Sequence, residues 1–194
     1  MAGSTNLRFT SLHDVELCTH AATGERRAFG ELVRRHGSAV RGLLRRMGAQ
    51  ASEADDTAQD AFLIAFERIT EFRGEGTFAN WVKRIAARTY LKRLQKERKL
   101  GAIASDGIED EPAAGASDAD AAIDLDGALK MLGASERVCV SMCFGAGLSH
   151  AEAAEALNLP LGTVKSHVKR GLEKLRARLA PGDGAALEGR RGNG

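Results

Sequence analysis

Apolar residues recur at three- and four-residue steps in every segment rich in large hydrophobic side chains, and no segment shows the two-residue alternation of a strand. This spacing places apolar side chains on one face of an α-helix. The clearest case is a basic helix predicted near residues 161–179, whose apolar face would comprise Leu161, Val164, Val168, Leu172, Leu175 and Leu179. The sequence therefore predicts an all-α protein.

Turn and capping residues predict where the first helices begin and end. Ser11 is the predicted N-cap of the first helix, and Gly24 is its predicted stop. Gly48 would end a second helix and Ser52 would cap a third, because Ser accepts a hydrogen bond at an N-cap and Gly adopts the left-handed conformation after a C-terminus. A fourth helix is predicted to begin near Phe78, after the turn FRGEGTF.

An acidic, Gly-, Ser- and Ala-rich stretch divides the chain. Residues 101–126 hold eight acidic residues, no basic residue and few large apolar ones. Such a composition cannot bury enough apolar surface to offset its ordering entropy, so it predicts a flexible linker. The predicted segments are a tail over 1–10, a small helical domain over 11–100, the linker over 101–123, a second small helical domain over 124–180 and a disordered tail over 181–194.

Charge is separated along the chain far more than the net charge of +2 indicates. Residues 26–46 hold seven Arg against one Glu, and residues 81–99 hold eight Lys or Arg against one Glu. Residues 165–178 are basic again, beyond the acidic linker. Basic surfaces on both sides of an acidic spacer indicate two contacts with one polyanion.

The second domain contains the pattern of a helix-turn-helix. Ser149 and Glu152 in SHAE form a capping box that opens one helix, and NLPLG then turns the chain into the basic helix. In this motif the second helix enters the DNA major groove. Thr163 and the backbone amides beside it could bind phosphate. The other candidate DNA contacts are Lys165, Ser166, His167, Lys169 and Arg170.

The first domain carries one acidic segment and one in which aromatic and basic residues alternate. SEADDTAQDAF would be repelled by phosphates, so it predicts either a protein contact or a solvated helix face, with Phe62 in or near the core. FRGEGTFANWVKRIAARTYLKR suits separated DNA strands, because cations neutralise phosphates while a ring or loop receives an unstacked base. Trp81 lies within the apolar period and is interpreted as core.

Three stretches resemble bacterial extracytoplasmic-function sigma factors of the sigma-70 family over residues 12–179. They are GERRAFGELVRRH, then ASEADDTAQDAFLIAFERITEFRGEGTFANWVKRIAARTYLKRL, which contains the two segments above, and finally LGASERVCVSMCFGAGLSHAEAAEALNLPLGTVKSHVKRGLEKLR. The resemblance implies a sigma-2 helical bundle and a sigma-4 helix-turn-helix. It also implies binding to core RNA polymerase, through the clamp helices of the large subunit and the flap of the second subunit, and to promoter DNA. An anti-sigma protein would inhibit the factor.

The resemblance assigns roles to individual residues of this sequence. Polymerase contacts would come from Asp55, Asp56, Gln59 and Asp60. The −10 element, including a flipped base, would be held by Phe72, Arg73, Gly74, Thr77 and Asn80, with Lys83, Arg84, Arg88, Lys92 and Arg93 at phosphates or duplex. The −35 element would be read by the candidate residues of the basic helix. Arg88 and His167 replace the Asn and Arg found in many relatives, so base preferences cannot be transferred.

Other functions have less support in the sequence. An autonomous helix-turn-helix regulator would leave the acidic segment without a role, and a decoy that sequesters an anti-sigma protein would not need Lys165, Lys169 and Arg170. Cys139 and Cys143 lie four residues apart, which fits a buried helix stripe better than a metal or redox site. No catalytic set, metal or cofactor motif is present, and no leader or membrane-spanning run is visible, which predicts a cytoplasmic protein without membrane insertion.

Overall fold

The computed structural model describes residues 9–102 and 125–179. Helices occupy most of these ranges, which contain no strand, and the all-α prediction is confirmed. In chain order the helices are α1 Asp14–Ala22, α2 Arg26–Met47, α3 Ala51–Glu67, α4 Phe78–Ala102, α5 Leu125–Lys130, α6 Ala134–Val140, α7 His150–Leu157 and α8 Leu161–Leu179. A short 3-10 helix, Ile69–Glu71, follows α3, and one π-helical turn, Ser141–Gly145, follows α6.

Helix α4 reaches the start of the segment predicted as linker. Helix α4 runs to Ala102, so its last two residues overlap the segment predicted as linker over 101–123. The rest of that segment and the predicted tail over 181–194 lie outside the described residues, as do residues 1–8.

The first domain packs α1, α3 and α4 around the long helix α2. Leu32, Val40 and Leu44 of α2 are fully buried against the neighbouring helices. Phe29 meets the rings of Phe62, Phe66 and Phe78 edge to face, with centroids 4.9–6.4 Å apart. Edge-to-face aromatic pairs add specific geometry to apolar burial, so this cluster fixes α3 and α4 on α2.

A polar network anchors the start of the chain to α2. The Arg35 guanidinium donates to the backbone oxygens of Leu12 at 2.8 Å and Thr10 at 2.9 Å, and to Asp14 Oδ1 at 3.0 Å. Asp14 Oδ2 also lies 2.7 Å from His36 Nε2. These contacts add to the burial of Leu17 and Cys18 in holding this short helix in place.

Two predicted N-caps are wrong and two predicted stops are confirmed. His13 and Gln50 precede α1 and α3, where Ser11 and Ser52 were expected. At both ends a glutamate three residues later accepts the backbone N–H of the N-cap residue, at 2.8 and 3.2 Å, and so stabilises the start without a Ser hydroxyl. Gly24 and Gly48 end α1 and α2 with positive φ of 95° and 114°.

The second domain packs α5, α6 and α7 against α8. Val164, Val168 and Leu175 of α8 are buried, as the apolar spacing predicts. Leu161 and Leu179, at the two ends of the predicted apolar face, are 42% and 37% exposed, so this face is buried only over its central part. Both lie at the ends of a 19-residue helix, beyond the reach of the shorter helices that cover its centre.

The two domains touch, and one apolar cluster of buried residues extends across both of them, while a smaller cluster around Leu129, Leu132 and Leu175 lies within the second domain alone. Gly145 of the π-helical turn lies so close to Leu43 that a Cβ on Gly145 would be 2.7 Å from Leu43 Cδ1. Arg46 Nε donates to Asp126 Oδ1 at 2.8 Å across the same boundary. The described residues therefore adopt a closed arrangement of the two domains.

Candidate nucleic-acid and protein interfaces

Backbone and capping hydrogen bonds form α7 and the turn before α8, as the sequence predicts. Ser149 Oγ accepts from the Glu152 N–H at 3.2 Å, and Glu152 Oε2 accepts from the Ser149 N–H at 2.9 Å. Asn158 takes the left-handed conformation, with φ 53°, and ends α7. Pro160 O then accepts from the Thr163 N–H at 2.9 Å. The predicted capping box and turn are confirmed, and they set α8 directly after α7.

Helix α8 presents a basic outer surface. Lys165, Ser166, Lys169 and Arg170 are exposed, and Thr163 and His167 are half-buried at its edge. Four of these six predicted residues, Thr163, Ser166, Lys169 and Arg170, line one shallow depression of about 710 Å³. Ser166 Oγ donates to Gly162 O at 2.9 Å, so its hydroxyl hydrogen is used within the helix.

A buried glutamate behind α8, Glu136 on α6, is a residue that sequence reasoning missed. Its carboxylate accepts from Lys174 Nζ at 2.8 and 3.1 Å and lies 3.9 Å from Arg170 Nε. Burial would raise the pKa of Glu136, but the hydrogen bond and charge of Lys174 outweigh it and hold the pKa below its ordinary value. These partners lie 34 and 38 residues away, so no local sequence signal could have identified them.

The acidic face of α3 lies beside an apolar groove. Asp55, Asp56, Gln59 and Asp60 are all exposed, whereas Phe62 is buried as expected. The groove, of about 720 Å³, has apolar walls and a polar rim. Its lining includes Phe29, Val33, Ala58, Phe62, Leu63 and Phe66, with Arg26, Arg41, Asp55 and Gln59 at the polar positions. Leu63, which the sequence analysis did not select, is 58% exposed there.

The segment between α3 and α4 forms an exposed loop with an aromatic base. Arg73, Gly74, Thr77 and Asn80 are exposed, and Gly74 has a φ of 75°. Thr77 Oγ1 accepts from the Asn80 N–H at 3.2 Å and caps α4. Phe72 is half-buried, with its ring centroid 5.9 Å from that of Phe78 and 5.5 Å from that of Trp81.

The basic residues of α4 do not form one free surface in this arrangement. Arg84 Nη2 donates to Gly147 O at 2.7 Å, and Arg84 Nη1 lies 3.4 Å from Glu152 Oε1, both in the second domain. Arg93 lies 4.0 Å from Asp56. Arg88 and Lys92 are exposed, and Lys83 is half-buried.

Comparison with known proteins decides the family. Residues 32–100 match Sigma-70 region 2, and residues 128–177 match Sigma-70, region 4. The RNA polymerase sigma factor NccH of Alcaligenes xylosoxydans xylosoxydans is 33% identical over 177 residues, covering 86% of this chain and 94% of NccH. The chain belongs to the sigma-70 family, among its extracytoplasmic-function members. It is a transcription initiation factor and not an enzyme.

Two further relatives support this sigma-factor assignment. ECF RNA polymerase sigma factor SigE of Mycolicibacterium smegmatis is 31% identical over 172 residues, which cover 82% of this chain and 65% of SigE. CnrH, known from Cupriavidus metallidurans, has been solved in complex with the cytosolic domain of CnrY. That structure has a TM-score of 0.52 and 27% identity, and the match covers 86% of this chain and 96% of CnrH.

The cysteines of this sigma factor lie in apolar surroundings. Burial raises the pKa of Cys18 to about 12 and that of Cys139 to about 11. Burial also raises the pKa of the half-buried Cys143. Thiols in this state are poor nucleophiles and poor metal ligands, because both roles need the thiolate. Over 9–102 and 125–179 no group of His, Cys, Asp and Glu could hold a metal ion, and no helix there is long and apolar enough to cross a membrane.

Proposed function

We propose that this sigma factor recruits core RNA polymerase through the groove beside α3 and places it on promoters through α8 and the loop before α4. The observation that carries the proposal is the presence of two unlike surfaces on one chain. An apolar groove beside the acidic face of α3 lies on the first domain, and a basic helix-turn-helix surface lies on the second. Together they suit a protein that bridges a protein partner and DNA.

The α3 groove has the chemistry of a helix-docking site. Exposed Leu63 beside buried Phe62 offers an apolar floor, and Asp55 and Gln59 offer polar contacts at the rim. An amphipathic helix would fit such a groove if its basic residues faced the acids of α3 and its acidic residues faced Arg26 and Arg41. The clamp helices of the polymerase large subunit are the proposed occupant, with Asp55, Asp56, Gln59 and Asp60 as their polar contacts.

Helix α8 is proposed to read the −35 element as duplex DNA. Its exposed Lys165, Lys169 and Arg170 can neutralise phosphates or reach base edges from the groove. Phosphate contacts release counterions, so binding through this surface weakens as salt rises. Thr163, at the start of α8, would bind phosphate through its hydroxyl and the helix N-terminus.

The loop before α4 is proposed to hold the −10 element after strand separation. The loop offers an unstacked base an exposed surface formed by Arg73, Gly74, Thr77 and Asn80. Beyond it, Arg88 and Lys92 provide cations. Phe72 would support this surface from below, because its ring packs on Phe78 and Trp81. Flipping a base costs a few kcal/mol, which these contacts must offset.

An anti-sigma protein is the proposed inhibitor, and the bacterial cytoplasm, where polymerase and chromosome lie, is the proposed location. CnrH has been solved in complex with the cytosolic domain of CnrY. A similar inhibitor bound to this chain would compete with core polymerase for the exposed apolar groove beside α3.

Runoff transcription tests the proposal. Core polymerase with this protein should yield promoter-specific transcripts from genomic fragments that include its own promoter. Asp56→Ala combined with Gln59→Ala should remove them, because both exposed side chains lie on the docking face of α3. Glu155→Ala, at an exposed position of α7, is the control and should leave transcription intact.

The same assay can overturn the proposal. No transcript, together with tight duplex binding by the protein alone, would favour an autonomous regulator. Neither transcript nor DNA binding would favour an anti-sigma decoy.

A further inference from the structure

An ion-pair and hydrogen-bond chain on the second domain ends at His167, one of the candidate DNA contacts. Glu136 Oε1 lies 3.9 Å from Arg170 Nε, and Arg170 Nη2 lies 3.1 Å from His167 Nδ1. Glu136 is only 8% exposed and belongs to α6, whereas the other two residues project from α8 one turn apart. The chain therefore links the interior of the domain to its proposed DNA surface.

We propose that Glu136 and Arg170 fix the tautomer of His167, so that neutral His167 presents its Nε2–H as a donor to the −35 duplex. The inference rests on the proposed function of α8. DNA binding by a helix of this kind does not specify a histidine tautomer. The proposal concerns which ring nitrogen of His167 carries the proton.

The contact between Arg170 and His167 allows only one tautomer of a neutral imidazole ring. A guanidinium has five N–H donors and no acceptor, so Arg170 can only donate. Nδ1 of His167 must then be the acceptor and must lack a proton. In a neutral imidazole the proton is then on Nε2. No described residue bonds His167 Nε2, which leaves that N–H for an outside acceptor.

Glu136 gives Arg170 a fixed position. An exposed arginine on a helix loses rotamer entropy when it holds one geometry. A carboxylate held by Lys174 at 2.8 Å and by the Gly133 N–H at 3.3 Å is a fixed negative charge 3.9 Å from Arg170 Nε, and it favours one of those rotamers. Glu136 is thus a positioning residue, acting on His167 through Arg170.

The place of His167 fits a DNA contact. It is the seventh residue of α8, within the first two turns, and the N-terminal part of a recognition helix is the part that contacts bases. DNA offers Nε2–H two kinds of acceptor, namely phosphate oxygens and base-edge atoms such as N7 and O6 of guanine or O4 of thymine. Both use the same donor, and they differ in whether the contact depends on sequence.

The tautomer can be measured directly in the full-length protein. Nitrogen-15 NMR of the histidine rings at about pH 8, above the ordinary imidazole pKa, should show His167 protonated on Nε2. Arg170→Met, which keeps the aliphatic part of the side chain but has no donor, and Glu136→Gln should each shift the ring towards a mixture. Glu173→Gln, on the same helix, should leave it unchanged. A proton on Nδ1 in the unaltered protein, or an unchanged ratio in Arg170→Met, would overturn the proposal.

DNA binding provides the second test. Holoenzyme is reconstituted from core polymerase and this protein, and its affinity is measured for the genomic fragments that it captures. The amide nitrogen of His167→Gln can replace Nε2–H, whereas that of His167→Asn is too short and lies nearer to Nδ1. We expect His167→Gln to bind within about twofold of the original and His167→Asn to bind about fivefold more weakly, the range for one hydrogen bond. Equal losses in both variants would refute the donor role.

The loss of DNA affinity on different fragments distinguishes a base-edge acceptor from a phosphate acceptor. If His167→Asn loses affinity only where one particular base pair is present, the acceptor is a base edge; if it loses affinity equally on all fragments, the acceptor is phosphate. Either pattern supports the donor. Failure of the unaltered holoenzyme to capture any fragment would instead refute the proposed function, and with it the DNA role of His167, whatever the NMR result.

Discussion

Glu31 is a charged side chain inside the first domain, only 7% exposed. Its carboxylate accepts from Arg34 at 2.7 and 2.8 Å and from Arg35 at 2.9 Å. The two hydrogen bonds from Arg34, followed by the one from Arg35, lower the pKa of Glu31 to about 2 despite its burial. Because Arg35 also holds the backbone of residues 10 and 12, this carboxylate supports the whole N-terminal anchor.

The lowered pKa of Glu31 predicts a pH dependence of stability. Its folded pKa of about 2 lies below the ordinary 4.5, so its contribution is complete above 4.5 and is lost as pH falls towards 2. Glu31→Gln should lower the free energy of unfolding at neutral pH by about 1–3 kcal/mol, because two guanidinium groups lose a charged acceptor. Urea unfolding between pH 7 and about pH 3 should show a flatter pH profile for the variant.

An exposed glutamate provides the matched control for Glu31. Glu71 accepts from Arg68 at 2.6 Å on the surface, where water screens the pair. Glu71→Gln should change stability less than Glu31→Gln does. Equal effects of the two substitutions would show that the buried network does not depend on its carboxylate.

The exposure or burial of a residue was predictable from sequence where helix periodicity alone determines it. The exposed acids of α3 follow from helix periodicity alone, as does burial of Phe62. Glu31 and Glu136 were not identified, since sequence alone makes a glutamate a surface residue. Their burial depends on arginine and lysine partners whose positions tertiary packing sets.

At the scale of elements, α8 packs on α6 through a glycine. A Cβ on Gly171 would lie 2.8 Å from Val140 Cγ2 and 3.6 Å from Leu132 Cδ1. Val140 is β-branched and has few rotamers, so it cannot easily give way. This close approach sets the distance between the recognition helix and the helix that carries Glu136.

Gly171→Ala should therefore destabilise the second domain even though alanine favours helix. We expect a loss of about 1–3 kcal/mol from overpacking, partly offset by the helix propensity gained. Gly162→Ala is the control, because a Cβ there meets nothing within 4 Å. It should be neutral or stabilising in thermal unfolding. If Gly171→Ala matches Gly162→Ala, the two helices are not held at this distance.

Helix existence was predictable from sequence, and helix ends were predictable where glycine decides them. Gly24 and Gly48 stop their helices with positive φ, which other residues rarely adopt. The starts at His13 and Gln50 were misplaced by two residues, because a glutamate one turn later stabilises them as well as a Ser hydroxyl would. The exposure of Leu161 and Leu179 depends on the lengths of neighbouring helices, which periodicity does not report.

At the scale of the whole molecule, the closed arrangement places part of the proposed −10 surface against the second domain. Arg84 bonds to Gly147 O at 2.7 Å and pairs with Glu152 at 3.4 Å. The same Arg84 has a buried Nε with no acceptor among the described residues. A buried donor without a partner costs about 1–3 kcal/mol, so the contact is weaker than its hydrogen bond and ion pair indicate. No sequence pattern predicted that the two domains pack together, because the residues in contact lie on separate domains.

If promoter binding requires the domains to separate, weakening the boundary away from the DNA residues should assist it. Gly145→Val would place methyl groups against Leu43, where even a Cβ would be only 2.7 Å away. We expect a larger radius of gyration by X-ray scattering and faster capture of promoter DNA by the holoenzyme. Gly30→Val, at an exposed site of α2 where a Cβ meets nothing within 4 Å, should change neither. A larger radius without faster capture would mean that opening does not limit promoter binding, while an unchanged radius would mean that Leu43 yields and the boundary tolerates the added methyl groups.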